Sequence, residues 1–178
     1  MITISNIYAV KDEDYNVIKW DKAVEDLTKD YTYISGTVKY DIVDEKLFVE
    51  VIKVEGIVDS ESYTFYYNRD YEIITETGIV KINFLATGTL PDDNSTFTIY
   101  YKVYSTDIVK YKVYRTTKPR TGEREFIKEI TTVDTDGFIQ TCTIDFISSD
   151  NITIYYYTVS AVDSSLTETD VLSEVPAL

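Results

Sequence analysis

Val17-Ile18-Lys19-Trp20 near the start of the chain and Tyr155-Tyr156-Tyr157-Thr158-Val159-Ser160-Ala161-Val162-Asp163 near its end are the stretches whose joint reading decides the fold. Both read as β-strands, rich in the branched and aromatic residues that suit a pleated, half-dry surface. In the later run Tyr155, Tyr157, Val159 and Ala161 fall on one face, which is expected to point inward. Between them, Tyr111-Lys112-Val113-Tyr114-Arg115 repeats the pattern, with Val109, Tyr111, Val113 and Arg115 expected on one face. Trp20 is the single Trp of the chain. It is expected to pack among Tyr111, Val113, Tyr157 and Val159, residues far from it in sequence.

The remaining sequence is strand-like almost throughout. Residues 2–10 and 15–20 read as two strands about the polar turn Lys11-Asp12-Glu13-Asp14. Thr37–Ile42 and Leu47–Val54 flank Asp44-Glu45-Lys46 as in a hairpin. Further strand signals follow at Ser62–Tyr67, Tyr71–Ile74, Ile79–Phe84 and Thr96–Tyr104. Asn68-Arg69-Asp70, Thr75–Gly78 and Leu90–Ser95 separate them as turns. Asp21 to Lys29 departs from this pattern: Ala23, Val24 and Leu27 lie at helical spacing and suggest a short helix.

Composition narrows the function classes. The chain has 178 residues, 44% hydrophobic and 27% charged, which is globular rather than disordered. Tyr is abundant, with 17 copies beside 7 Phe, whereas Gly (6) and Pro (3) are scarce, so Asp, Asn and Ser must make the turns. The net charge of −14 repels phosphate backbones and argues against nucleic acid and anionic membranes as partners. With one Cys, Cys142, no internal disulfide forms, and with no His there is neither a Ser-His triad nor a His-ligated zinc. No apolar run reaches membrane-span length and no basic leader opens the chain, so a product made in the cytoplasm is expected.

Ile2-Thr3-Ile4, Val17–Trp20, Tyr111–Arg115 and Tyr155–Asp163 together resemble strands A/B, C and F of a fibronectin type III-like sandwich. Thr131–Phe138 is similar to the stretch that precedes strand E there. The resemblance places Tyr155 as a corner Tyr whose hydroxyl bonds to nearby backbone. In that family the early Trp strand and the Tyr-x-Val-x-Arg strand are separated by a short turn; here a long strand-rich segment lies between. The expectation is an all-β chain: an immunoglobulin/fibronectin III-like β-sandwich of residues 1–22 plus 108–178, interrupted by a second small β domain over 30–105. Two serial domains would leave the C-terminal piece without its first strands and with a bare apolar sheet face.

The interrupting segment has a resemblance of its own. Asp70-Tyr71, a hairpin at Gly78, Ile79-x-x-Ile82-x-Phe84, a turn at Pro91 and Phe97-x-Ile99-x-Tyr101-x-Val103-Tyr104 follow an order similar to a small β domain of tail and baseplate proteins of tailed bacteriophages. Asp92-Asp93-Asn94 stands where that pattern has Gly.

No catalytic constellation emerges. Nothing in the spacing selects a carboxylate pair from 31 Asp and Glu, so a glycosidase is not expected. Asp134-Thr135-Asp136-Gly137 and Asp92-Asp93-Asn94 read as turns rather than calcium loops, since no bidentate Glu follows the former in place. Asn94-Ser95-Thr96 and Asn151-Ile152-Thr153 match the glycosylation pattern but read as turn residues. Lys118, Arg120 and Arg124 form the one basic cluster, on an expected loop, able to pair with an acidic neighbour. Tyr66, Tyr100, Tyr104 and Tyr156 are expected to face outward as interface residues.

The expectation is therefore a protein without enzymatic activity or cofactors, a structural component of a tailed-bacteriophage virion, in tail or baseplate. It would bridge other virion proteins in a hetero-oligomer, without contacting nucleic acid or membrane. The alternative is a carbohydrate- or receptor-binding β-sandwich module.

Overall fold

A computed structural model describes residues 2–12, 14–120, 123–131, 140–146, 153–169 and 174–177; within 140–146 it describes the side chains of Thr143 and Asp145. In chain order the strands are β1 (Ile2–Thr3), β2 (Tyr8–Lys11), β3 (Tyr15–Asp21), β4 (Val24–Thr32), β5 (Lys39–Asp44), β6 (Phe48–Val58), β7 (Glu61–Phe65) and β8 (Tyr71–Glu76). They continue as β9 (Ile79–Phe84), β10 (Thr96–Tyr104), β11 (Ile108–Thr116), β12 (Glu125–Thr131), β13 (Gln140–Phe146), β14 (Tyr156–Asp163) and β15 (Val175–Pro176). The protein is all-β, and the ladders β2–β3, β3–β13, β5–β9, β6–β7, β6–β10, β8–β9, β11–β12, β11–β14 and β14–β15 pair antiparallel. It divides into two compact units, Met1–Val24 with Ser105–Leu178, and Glu25–Tyr104.

The discontinuous unit is a sandwich. A three-stranded sheet, β13-β3-β2, shares its core with a four-stranded sheet, β12-β11-β14-β15. Strand β3 alternates strictly, burying Asn16, Ile18 and Trp20. Trp20 is fully buried with Tyr111, Val113, Tyr157 and Val159 in one cluster, its ring edge-on to Tyr111 at 5.6 Å. Burying side chains of this size stabilises by roughly 1.5–3 kcal/mol each. Val109 does not share the inward face of Tyr111 and Val113. The β11–β14 register slips between Ile108 and Lys110, and this irregularity turns Val109 outward and buries Ile108 instead.

The continuous unit has its own core. Strands β4, β10, β6 and β7 form one sheet in that order, and β5-β9-β8 form the other. Phe97, Ile99, Tyr101 and Val103 of β10 point inward onto Tyr40, Ile82 and Phe84. Two β-turns show how a Gly-poor chain makes hairpins. Thr77 and Gly78 both have positive φ (51° and 78°) between β8 and β9, the backbone that matches strand twist. Asp59 and Ser60 do the same between β6 and β7 (52° and 66°) without glycine. There the Asp92 carboxylate accepts both turn amides at 2.9 Å, which offsets the left-handed conformation.

Two sequence expectations are corrected here. Asp21–Lys29 is not helical: Val24–Thr32 is strand β4, hydrogen-bonded along β10. Helix propensity over nine residues amounts to a few tenths of a kcal/mol per residue, less than a strand gains by completing a sheet. Nor do β5 and β6 form a hairpin. β5 pairs with β9 and β6 with β10 and β7, so Asp44–Leu47 is a corner between sheets. That corner is tied to both: Glu45 N–H donates to Gly78 O at 2.9 Å, and Tyr104 N–H to Leu47 O at 2.8 Å.

Candidate functional site

In the discontinuous unit a chain of polar groups runs from the core to the surface. Arg115, late in β11, lies opposite Glu125 of β12 and Tyr157 of β14. Its Nε donates to Glu125 at 2.8 Å, and its Nη1 reaches both carboxylate oxygens of Asp145 at 3.2 and 3.0 Å. Asp145 is 5% exposed and comes from β13, in the facing sheet. The Tyr157 hydroxyl donates to Asp145 at 2.6 Å and accepts from Asn16 Nδ2 at 2.7 Å. Glu125 and Asp145 push the Arg115 pKa further up, and Arg115 in turn holds Glu125 below the usual carboxylate range. Burial, helped by the Asp145 acceptor, raises the Tyr157 phenol. The assembly locks the two sheets in register. Single-partner removal would leave a buried polar group unpaired.

Beside this chain is an open cleft of about 440 Å³. Arg115 and Tyr155 line it, with the guanidinium 5.0 Å from the ring centroid. Thr116, Thr117, Lys118, Glu123 and Glu125 also line it. Tyr155 precedes β14 and is half-buried against the core, with its carbonyl accepting from Ala177 N–H at 2.9 Å.

The continuous unit contains a second buried carboxylate, Asp70, 1% exposed. Oδ1 accepts from Thr89 N–H at 3.0 Å and Arg69 Nε at 3.0 Å. Oδ2 accepts from Tyr66 N–H at 2.9 Å, Arg69 Nη2 at 2.7 Å and Tyr63 Oη at 3.4 Å. Burial alone would raise its pKa, but the Arg69 guanidinium and the Tyr66 and Thr89 amides outweigh it and hold the carboxyl well below its usual range. Gly88 packs so closely that a Cβ there would lie 2.6 Å from Arg69 O and Asp70 Cα. Asp70 and Gly88 together fix the turn that presents Tyr66 and Tyr67, which are 54% and 56% exposed.

The residues singled out from sequence fall in both units. Lys118 lies in the cleft. Arg124 does not offer a free charge: its Nε and Nη2 donate to Glu174 at 3.2 Å, and the Arg120 N–H caps the same carboxylate. Of the four tyrosines, Tyr66 is the exposed one, beneath the Arg69 guanidinium at 4.2 Å. Tyr100 is half-buried under Lys53 Nζ at 4.3 Å. Tyr104, at the end of β10, and Tyr156, opposite Thr116 and Pro176, are half-buried as well. Sequence reasoning missed Arg115, Asp145, Asp70 and Tyr67. A signal existed for Arg115, an Arg placed on the two-residue period of a core strand. Asp92-Asp93-Asn94 forms the expected turn, closed by Ser95 N–H donating to Asp92 O at 3.0 Å, and the Asp92 carboxylate caps the separate Asp59-Ser60 turn as well. Asp134–Gly137 and Asn151 lie outside the described residues, and Cys142 sits opposite Lys19 in the β13–β3 ladder. Among the described residues no group of three or more His, Cys, Asp or Glu is arranged to hold a metal ion. No described helix is long and apolar enough to cross a membrane.

No family model and no curated protein matches this chain. Among solved structures it is similar to β-1,2-glucanase from Parabacteroides distasonis, at 12% identity and a TM-score of 0.31, over 99% of this chain and 35% of that one. A likeness that weak carries no argument, and the chain spans about a third of that protein's length.

Proposed function

We propose that the chain is a non-enzymatic structural component of a tailed-bacteriophage virion, in the tail or baseplate, where it bridges neighbouring subunits. The observation that carries this reading is the nesting of two separately cored β units in one chain, each with a buried carboxylate, Asp145 or Asp70, spent on holding its own elements together. Arg115–Asp145 ties two sheets together, Asp70 pins a turn and a loop, and Asp92 caps a hairpin. Every described carboxylate with a resolved pKa shift is lowered, so none of these is held protonated as the acid that glycoside hydrolysis needs. The sequence order from Asp70 to Tyr104 supports the same reading by its resemblance to phage tail and baseplate domains.

Such a protein works by contact: its two separately cored units offer surfaces to different neighbours, and it is made in the host cytoplasm before assembly. The test is gradient purification of particles from the native source, followed by quantitative mass spectrometry. A fixed ratio of this chain to tail or baseplate proteins is expected at every step. A chain left in the soluble fraction while complete particles form would refute the role.

A further inference from the structure

We infer that the cleft at Arg115 and Tyr155 is a binding site for a neutral saccharide unit, free or at the end of a glycan. The inference stands apart from the virion role and rests on the cleft's own chemistry. Among the described residues the lining has no aliphatic side chain; it sets two cations, Arg115 and Lys118, against two anions, Glu123 and Glu125, around one aromatic ring. An anion would meet the glutamates, a cation would meet the basic pair, and an apolar ligand would strand the charges of Lys118 and Glu123, which Arg115 and Glu125, paired with each other, do not answer. A sugar hydroxyl both donates and accepts, so a polyhydroxylated ring can satisfy both signs at once. Its C–H face suits Tyr155, and about 440 Å³ is the size of a small-ligand site.

The groups a ligand would use are free among the described residues. Arg115 spends Nε on Glu125 and Nη1 on Asp145, while its Nη2 donates to neither. Lys118 and Glu123 take part in none of the described ion pairs, and both are exposed. Arg115 itself is held in place from behind by Asp145, which leaves little ordering cost on binding.

The experiment is saturation-transfer NMR on the full chain with cellobiose, lactose, maltose and diacetylchitobiose, with inorganic phosphate and glycine betaine as charged comparators. Millimolar binding of at least one disaccharide is expected, weakened about tenfold or more in Lys118→Ala/Glu123→Ala through loss of charge-assisted hydrogen bonds. These side chains are exposed, so the far-UV circular dichroism should not change. Tyr66→Ala, in the other unit, should bind as the parent does. Saturation of none of the disaccharides, binding of phosphate or betaine alone, or sugar binding that survives the double variant would each overturn the inference.

Discussion

Replacing Asp70 with Asn changes almost no volume and isolates what the buried carboxylate does. Its two oxygens accept five donors: Thr89 N–H, Tyr66 N–H, both Arg69 contacts and Tyr63 Oη. An amide keeps one acceptor and turns the other into an NH₂, which then faces either Thr89 N–H and Arg69 Nε or Tyr66 N–H and Arg69 Nη2. One backbone amide loses its partner, at about 1–3 kcal/mol, and the remaining bonds lose their charge assistance. A buried pair cut on one side can cost 3–5 kcal/mol, but here the Arg side chain is 56% exposed and rehydrates, so the expected total is about 2–4 kcal/mol at neutral pH. The pH dependence follows from the depressed pKa. The stabilisation is complete above the unfolded value near 4 and declines as pH falls toward the lower folded value. Asn does not titrate, so the gap between parent and variant should narrow below about pH 4. Urea unfolding across that range, with hydrogen exchange at the Tyr66 and Thr89 amides, measures both. A variant within about 0.5 kcal/mol of the parent at neutral pH, with both amides still protected, would refute the reasoning.

Three further outcomes are expected. Gly88→Ala forces a Cβ against Arg69 O and Asp70 Cα and should cost about 2 kcal/mol or more, whereas Gly78→Ala meets open space and should cost about 1 kcal/mol for its positive φ alone; urea midpoints that rank the two the other way would contradict the close-packing argument. Tyr157→Phe leaves Asn16 and Asp145 without the hydroxyl between them and should destabilise by about 1–3 kcal/mol in chemical denaturation, with Trp20 still buried in the native state. Burial raises the phenols of Tyr157, Tyr111 and Tyr71, so above about pH 10 the folded chain holds more protons than the unfolded one and stability falls as pH rises. Phenolate absorbance followed beside far-UV circular dichroism should show these tyrosines ionising together with unfolding.

The strands were legible where one face is dry and one wet. In β3 and β10 the two-residue period survives from sequence to burial, and the neighbours of Trp20 can be named from it. Legibility ended where a register irregularity broke the period, as at Val109, and where the partner of a strand was at issue. A polar turn such as Asp44–Lys46 looks the same whether the chain folds back in one sheet or crosses to another. The short helix suggested at Asp21–Lys29 failed for a related reason: β10 offers a sheet edge that local propensity does not encode. The site was legible in part. Lys118 could be found as an exposed cation, but Arg124 could not be seen to spend its charge on Glu174, 50 residues away. Asp70 and Asp145 were hidden among 31 acids because burial, which makes them special, is a tertiary property.

Two stretches far apart in sequence, Met1–Val24 and Ser105–Leu178, build one sandwich around Trp20. The direct test removes residues 25–104 and joins Val24 to Ser105 through a short Gly-Ser linker. The ends are adjacent, since Ser105 N–H donates to Ala23 O at 2.9 Å, while the Tyr111 hydroxyl accepts from Ala23 N–H at 2.9 Å. Trp20 fluorescence and chemical denaturation are the readout. Blue-shifted emission lost in one cooperative transition is the predicted result. Emission of a solvated indole, with no cooperative transition, would contradict the account.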